Sequence, residues 1–117
     1  MADLVINEEF VTVTLSAVER IEAMHANLSV PRSAVLRAWV APDGMDQVHG
    51  VRAPGTALPG VVMVGTWRSP AGTTFAACHG HRPAVIIDLI GQPYDRLVVT
   101  VDHPQEAIEG LPHEGAG

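Results

Sequence analysis

Lysine is absent from this chain of 117 residues, and all seven of its basic side chains are arginines. Without a primary side-chain amine, Schiff-base chemistry and a lysine general base are excluded. Runs of positive charge are missing as well. Arg20, Arg32, Arg37, Arg52, Arg68, Arg82 and Arg96 stand singly among 13 acidic residues, for a formal net charge of −6. Phosphate backbones and anionic bilayers are recognised by clustered Lys and Arg, so neither nucleic acid nor membrane is an expected partner. There is no second cysteine. Cys78 has no intrachain disulfide partner, in keeping with a reducing compartment. No apolar run reaches the length that spans a bilayer, and the opening MADLVINEEF lacks the basic region and apolar core of a secretion signal. The expected location is cytoplasmic. A Gly-x-Ser-x-Gly elbow, a phosphate-binding loop, a dinucleotide fingerprint and a His-Glu-x-x-His helix are all missing, and no cofactor is expected.

What is present is a globular composition, 47% hydrophobic and 17% charged, at a length that fits one domain. The reading is an N-terminal extension over 1–9, a single domain over 10–110 and a flexible tail over 111–117. Short alternating segments punctuated by Gly and Pro predict a mainly β, mostly antiparallel fold. FVTVTL at 10–15 sets Val11, Val13 and Leu15 against Phe10, Thr12 and Thr14, a strand with one buried face. The period then changes. Val18, Ile21, Met24 and Leu28 fall at helical spacing, and Ser16 with Glu19 has the capping-box pattern, which predicts a helix over 17–25. A turn at Pro31 and Ser33 leads to a strand in AVLRAWVA, closed by the turn PDG at 42–44, and a weaker strand follows at 47–51.

In the second half, keeping apolar residues on one face favours odd positions as the core. That registry pairs Gly65 with Phe75, Ala77 with Ile87, His79 with Val85, Leu89 with Leu97 and Ile87 with Val99, a four-stranded meander. It leaves Val62, Val64, Ile86, Ile90 and Val98 on the outer face, interrupted by Thr66, Cys78, Asp88 and Thr100, an expected homodimer surface.

The stretch TFAACHGHRPAVIIDL concentrates the candidate chemistry. His79 and His81 have the His-x-His spacing of two zinc ligands only if the strand runs straight through both. Gly80 and Pro83 predict a turn between them, so no metal site is expected. Cys78 is a candidate thiol near Arg82 and the two histidines, or else a small apolar residue. His79 and Asp88 are the candidates for proton transfer. A carboxylate among Ile86, Ile90 and Val98 would have its pKa raised, the alternative being a solvated aspartate on an outer face. Arg52 and Arg96 are the candidates for binding an anionic small molecule, with Asp46 and Asp95 as ordinary ion-pair partners nearby.

LSVPRSAV, GVRAPGTALPG, the GTW at 65–67, TFAA and YDRLVVTVDHP together resemble a group of small actinobacterial proteins with a bacterial pleckstrin-homology-like fold. The resemblance implies a strongly bent antiparallel barrel or sandwich of about seven strands, capped at one end by a C-terminal helix. It carries over no activity and no site residue. PQEAIEG would be the short helix, with Asp102 as its N-cap and Gly110 as its terminator. Three functions fit these readings. The leading one is a binding or protein-interaction module. The alternatives are a small enzyme using acid/base chemistry in a barrel cavity on an anionic small molecule, and a structural homodimer subunit.

Overall fold

The computed structural model describes residues 2–112. Among them are nine strands: β1 Asp3–Ile6, β2 Phe10–Thr14, β3 Leu28–Pro31, β4 Val35–Ala41, β5 Val51–Leu58, β6 Val62–Ser69, β7 Gly72–His79, β8 Ala84–Leu89 and β9 Arg96–Thr100. Two helices accompany them, α1 Ala17–Ala23 and the single turn α2 Pro104–Ala107. The mainly β expectation holds, as two sheets. β1-β2-β3 form one and β4-β8-β9-β7-β6-β5 the other, and no barrel closes among the described residues.

The smaller sheet lies over one face of the larger. Val11, Val13, Leu15 and Val30 pack against Val62, Val64, Phe75, Val85, Ile87, Leu97 and Val99 in a single apolar core. Alternation in β2 is what dictates this, since a period-2 segment can bury only one face. The segment expected to be an N-terminal extension belongs to the same layer: β1 pairs with β2 and Ala2 is buried in the core. At the other end of the chain Leu111 is also in the core, and the Ala38 amide donates to the Pro112 carbonyl at 2.6 Å. The rest of the expected tail, 113–117, lies outside the described residues. Arg32 ties these parts together, donating to the carbonyls of Asn7 at 3.0 Å and Gly110 at 2.5 Å.

The expected meander is corrected in three places. β6 and β7 do form a hairpin, but Thr66, not Gly65, lies opposite Phe75, and Gly65 faces Ala76. A slip of one residue exchanges the faces of a strand. Val62 and Val64 therefore enter the core while Val61 is exposed. Alternation could not decide, because both parities of β6 are apolar. Backbone contact decides instead: Gly65 lies across from Gly55, and a Cβ on it would fall 2.5 Å from the Gly55 Cα. Second, β7 and β8 do not pair. β9 inserts between them, parallel to β7 and antiparallel to β8. Both β8 and β9 are buried on both faces, which their near-continuous apolar runs allow. Third, the β8–β9 register sets Ile87 across from Leu97 and Val85 across from Val99, two residues from expectation, which preserves the faces.

The outer face is covered as well, but from within the chain. Ala76, Cys78, Ala84, Ile86 and Val98 pack with Trp67, and the β4–β5 connection folds Met45 and Val48 onto them. Met45, Val48, Ile86 and Val98 each contribute about 1.5–3 kcal/mol on burial. Gly44 permits the approach, since a Cβ there would sit 2.6 Å from the Ala84 Cβ. Of the residues expected on an exposed dimer face, Val62 and Val64 belong to the inner core, Ile86 and Val98 lie beneath this cover, and only Ile90 is exposed. The C-terminal helix is also shorter than expected: its N-cap is His103, and it ends at Ile108 before Gly110.

Candidate functional site

Asp88 and Arg96, two of the candidate residues, face each other across β8 and β9 and bond directly. Arg96 donates from Nε to Asp88 Oδ1 at 2.6 Å and from a terminal nitrogen to Oδ2 at 3.1 Å, while Arg37 on β4 donates from Nε to Oδ2 at 2.9 Å. Both guanidinium groups lie over the Trp39 ring, 5.3 and 5.2 Å from its centre. Burial alone would raise the Asp88 pKa, but the hydrogen bonds and charges of Arg96 and Arg37 outweigh it and hold the carboxyl below its ordinary value. Asp88 is thus neither the solvated aspartate nor the raised general acid of the two sequence readings. It is an ionised clamp between two arginines.

A surface cleft of about 320 Å³ opens beside this clamp, lined among others by Gln47, His49, Thr74, Asp95, Asp88 and Arg96. Arg52 is not part of it. That residue is exposed across from Trp67 on the edge strand β5, separated from Arg96 by β6 and β7, and makes no ion pair among the described residues. The two arginines that are candidates for binding an anionic ligand are therefore apart.

His79 projects from the opposite face of the sheet, as its parity against Asp88 requires. Its Nε2 lies 2.8 Å from Oε2 of Glu19, a carboxylate that is almost completely buried. His81, beyond Gly80, pairs instead with Asp43 at 2.6 Å. The two histidines are thus directed to separate carboxylates. Cys78 is buried under the outer cover. Burial, with the negative charge of Asp43, pushes its thiol up to about 12 against a weaker hydrogen bond from Thr100, so it is a packing residue and not an activated nucleophile.

Glu19 leads to the least expected feature, the orientation of α1. The capping box forms as the sequence predicts: Ser16 Oγ accepts from the Glu19 amide at 3.2 Å, and Glu19 Oε1 accepts from the Ser16 amide at 2.9 Å. Burial would raise the Glu19 pKa, but the hydrogen bonds from the Ser16 amide, from His79 and from the Ser16 hydroxyl outweigh it and hold it below 4.5. The helix ends at Met24, which adopts the left-handed conformation (φ 52°) as C-cap. A second tether is the Thr56 hydroxyl of β5, which donates to the Glu22 carbonyl at 3.0 Å.

These anchors turn Glu19 and Ala23 inward, and the apolar stripe consequently faces out. Val18 is 65% exposed, Ile21 78% and Met24 76%, against 1% for Glu19. Leu58, on the same sheet face as Thr56, is also exposed. Helical spacing reveals that an apolar stripe exists but not which way it points. The local sequence does not choose the orientation, which is set by the long-range contact of Glu19 with His79. No helix among the described residues is long and apolar enough to cross a membrane. No protein-family profile matches the chain, and no curated protein or solved structure shows significant similarity to it.

Proposed function

We propose that this protein is a small protein-interaction module whose docking surface is the outward face of α1. The observation that carries the reading is the inverted helix, which buries a glutamate while Val18, Ile21 and Met24 stand in solvent. An isolated exposed apolar residue is ordinary, whereas a contiguous apolar patch of a few hundred Å² usually marks an interaction surface. The remaining candidates favour architecture over chemistry. Asp88 is held ionised between two arginines, Cys78 is buried, and the space between the sheets is filled by apolar side chains. The pleckstrin-homology-like classification belongs to the same proposal. What supports it is the two-sheet, largely antiparallel architecture with a short C-terminal helix, and what departs from it is the parallel β7–β9 pair.

The test is a photo-crosslinking side chain at Ile21, compared in the native cell with the same group at exposed Arg52. A defined adduct at Ile21, identified by mass spectrometry and lost on Val18→Ser, supports the reading. Equal, non-specific labelling at both positions refutes it.

A further inference from the structure

The symmetry of charge around the exposed stripe names a partner. Resting on the docking reading above, we infer that α1 pairs with α1 of a second copy of this chain, with the two helices parallel. At about 100° per residue, Ile21 lies opposite the midpoint of buried Glu19 and Ala23, and it is the centre of the Val18–Ile21–Met24 stripe. Arg20 and Glu22 then flank that centre on its two sides, one positive and one negative. Neither side chain has an ion-pair partner among the described residues.

Two arrangements bring such stripes face to face. A two-fold axis perpendicular to the helices, lying in the interface, sets Arg20 against Arg20 on one flank and Glu22 against Glu22 on the other. An axis running along the helices instead sets Arg20 of each copy against Glu22 of the other on both flanks. The residues are offset by about 3 Å along the helix, well within the reach of an arginine. Only the parallel arrangement is complementary, as in the flanking positions of parallel coiled coils. Because the anchored side of α1 lies directly behind the stripe, the two protein bodies fall on opposite sides of the helix pair and do not compete for space. Such a contact is smaller than the roughly 1,200 Å² of a stable interface, so the dimer is reversible and concentration-dependent.

Sedimentation equilibrium of the full chain tests this, with far-UV circular dichroism confirming that each variant is folded. The wild type is expected to show a monomer–dimer equilibrium, and Ile21→Glu to shift it to monomer. Arg20→Glu replaces two attractive pairs by two repulsive ones and is expected to weaken association about tenfold. Adding Glu22→Arg to Arg20→Glu restores complementarity and brings the constant back to within about threefold of wild type. A wild type that is monomeric at every concentration up to about 0.5 mM overturns the inference, as does an Arg20→Glu variant that associates like wild type, the result for antiparallel helices. The Ile21 crosslink separates the two claims. An adduct with a different protein from a monomeric chain overturns self-pairing and leaves the docking reading standing, while no specific adduct overturns both.

Discussion

Replacing Glu19 by alanine removes the group that holds α1 in its inverted orientation. A helix of seven residues is too short to persist alone, so its position depends on what it is tied to. The substitution deletes the bond from the Ser16 amide and the bond to His79. Hydrogen bonds to a buried charge contribute about 1.5–3 kcal/mol each, and neutral ones about 1. The better helix propensity of alanine returns a few tenths of a kcal/mol. The net expectation is a loss of about 2–4 kcal/mol, or about 10 °C in Tm for a domain of this size. Urea unfolding followed by the fluorescence of Trp39 and Trp67 measures it directly. The pH dependence gives a second check. Glu19 has a lowered pKa in the folded state, so the unfolded chain binds the extra proton, and the stabilisation is fully present above about 4.5 and lost as pH falls through the folded value. The gap between wild type and Glu19→Ala should therefore be constant near neutrality and narrow in acid. A neutral-pH difference under about 0.5 kcal/mol, or one that is unchanged at pH 3, would show that α1 is not held by this carboxylate.

Asp88→Asn removes the negative charge to which both Arg37 and Arg96 donate. Because both arginines are partly exposed, the cost is about 1–2 kcal/mol by chemical denaturation, and it disappears in acid for the same reason of sign, since the Asp88 pKa is also lowered. Gly44→Ala drives a methyl group into the Ala84 side chain and should destabilise by about 1–3 kcal/mol, with Trp67 fluorescence reporting a loosened outer cover. Cys78, buried with its thiol pushed up to about 12, should resist alkylation by iodoacetamide at pH 8 in the folded protein and react fully in urea; rapid labelling of the folded protein would contradict its placement.

Local signals in the sequence proved dependable where a single physical cause operates. The Ser16–Glu19 cap and the buried face of Val11, Val13 and Leu15 depend only on nearby residues, and both stand in the structure. The split between Cys78 and Asp88 on one face and His79 on the other also holds although β7 and β8 do not pair, because β9 between them sets Val98 across from both Ala76 and Ile86 and so keeps the even positions of both strands on one face. Long-range choices were less legible. With Leu89 opposite Leu97, Asp88 would meet Val98; the observed register makes Asp88 and Arg96 partners, and that charge pair was present in the sequence as a competing guide. Nothing local distinguishes β8 beside β7 from β9 beside β7, since both are apolar on both faces. The outer cover was hidden for a different reason. Met45 and Val48 lie in a segment with no regular period, and only the three-dimensional path shows what they bury. In α1 the helical period is plain in the sequence, while the burial of Glu19 is decided by His79, 60 residues away.

The measurement that tests the central claim most directly is an amide chemical-shift dilution series on the uniformly ¹⁵N-labelled wild-type chain. Shifts that depend on concentration should be confined to α1 and its surroundings, with the largest at Val18, Ile21 and Met24 and smaller ones near Leu58. No change at any amide across the series, or changes centred on Ile90 and the β8–β9 region instead, would contradict the pairing of α1 with a second copy.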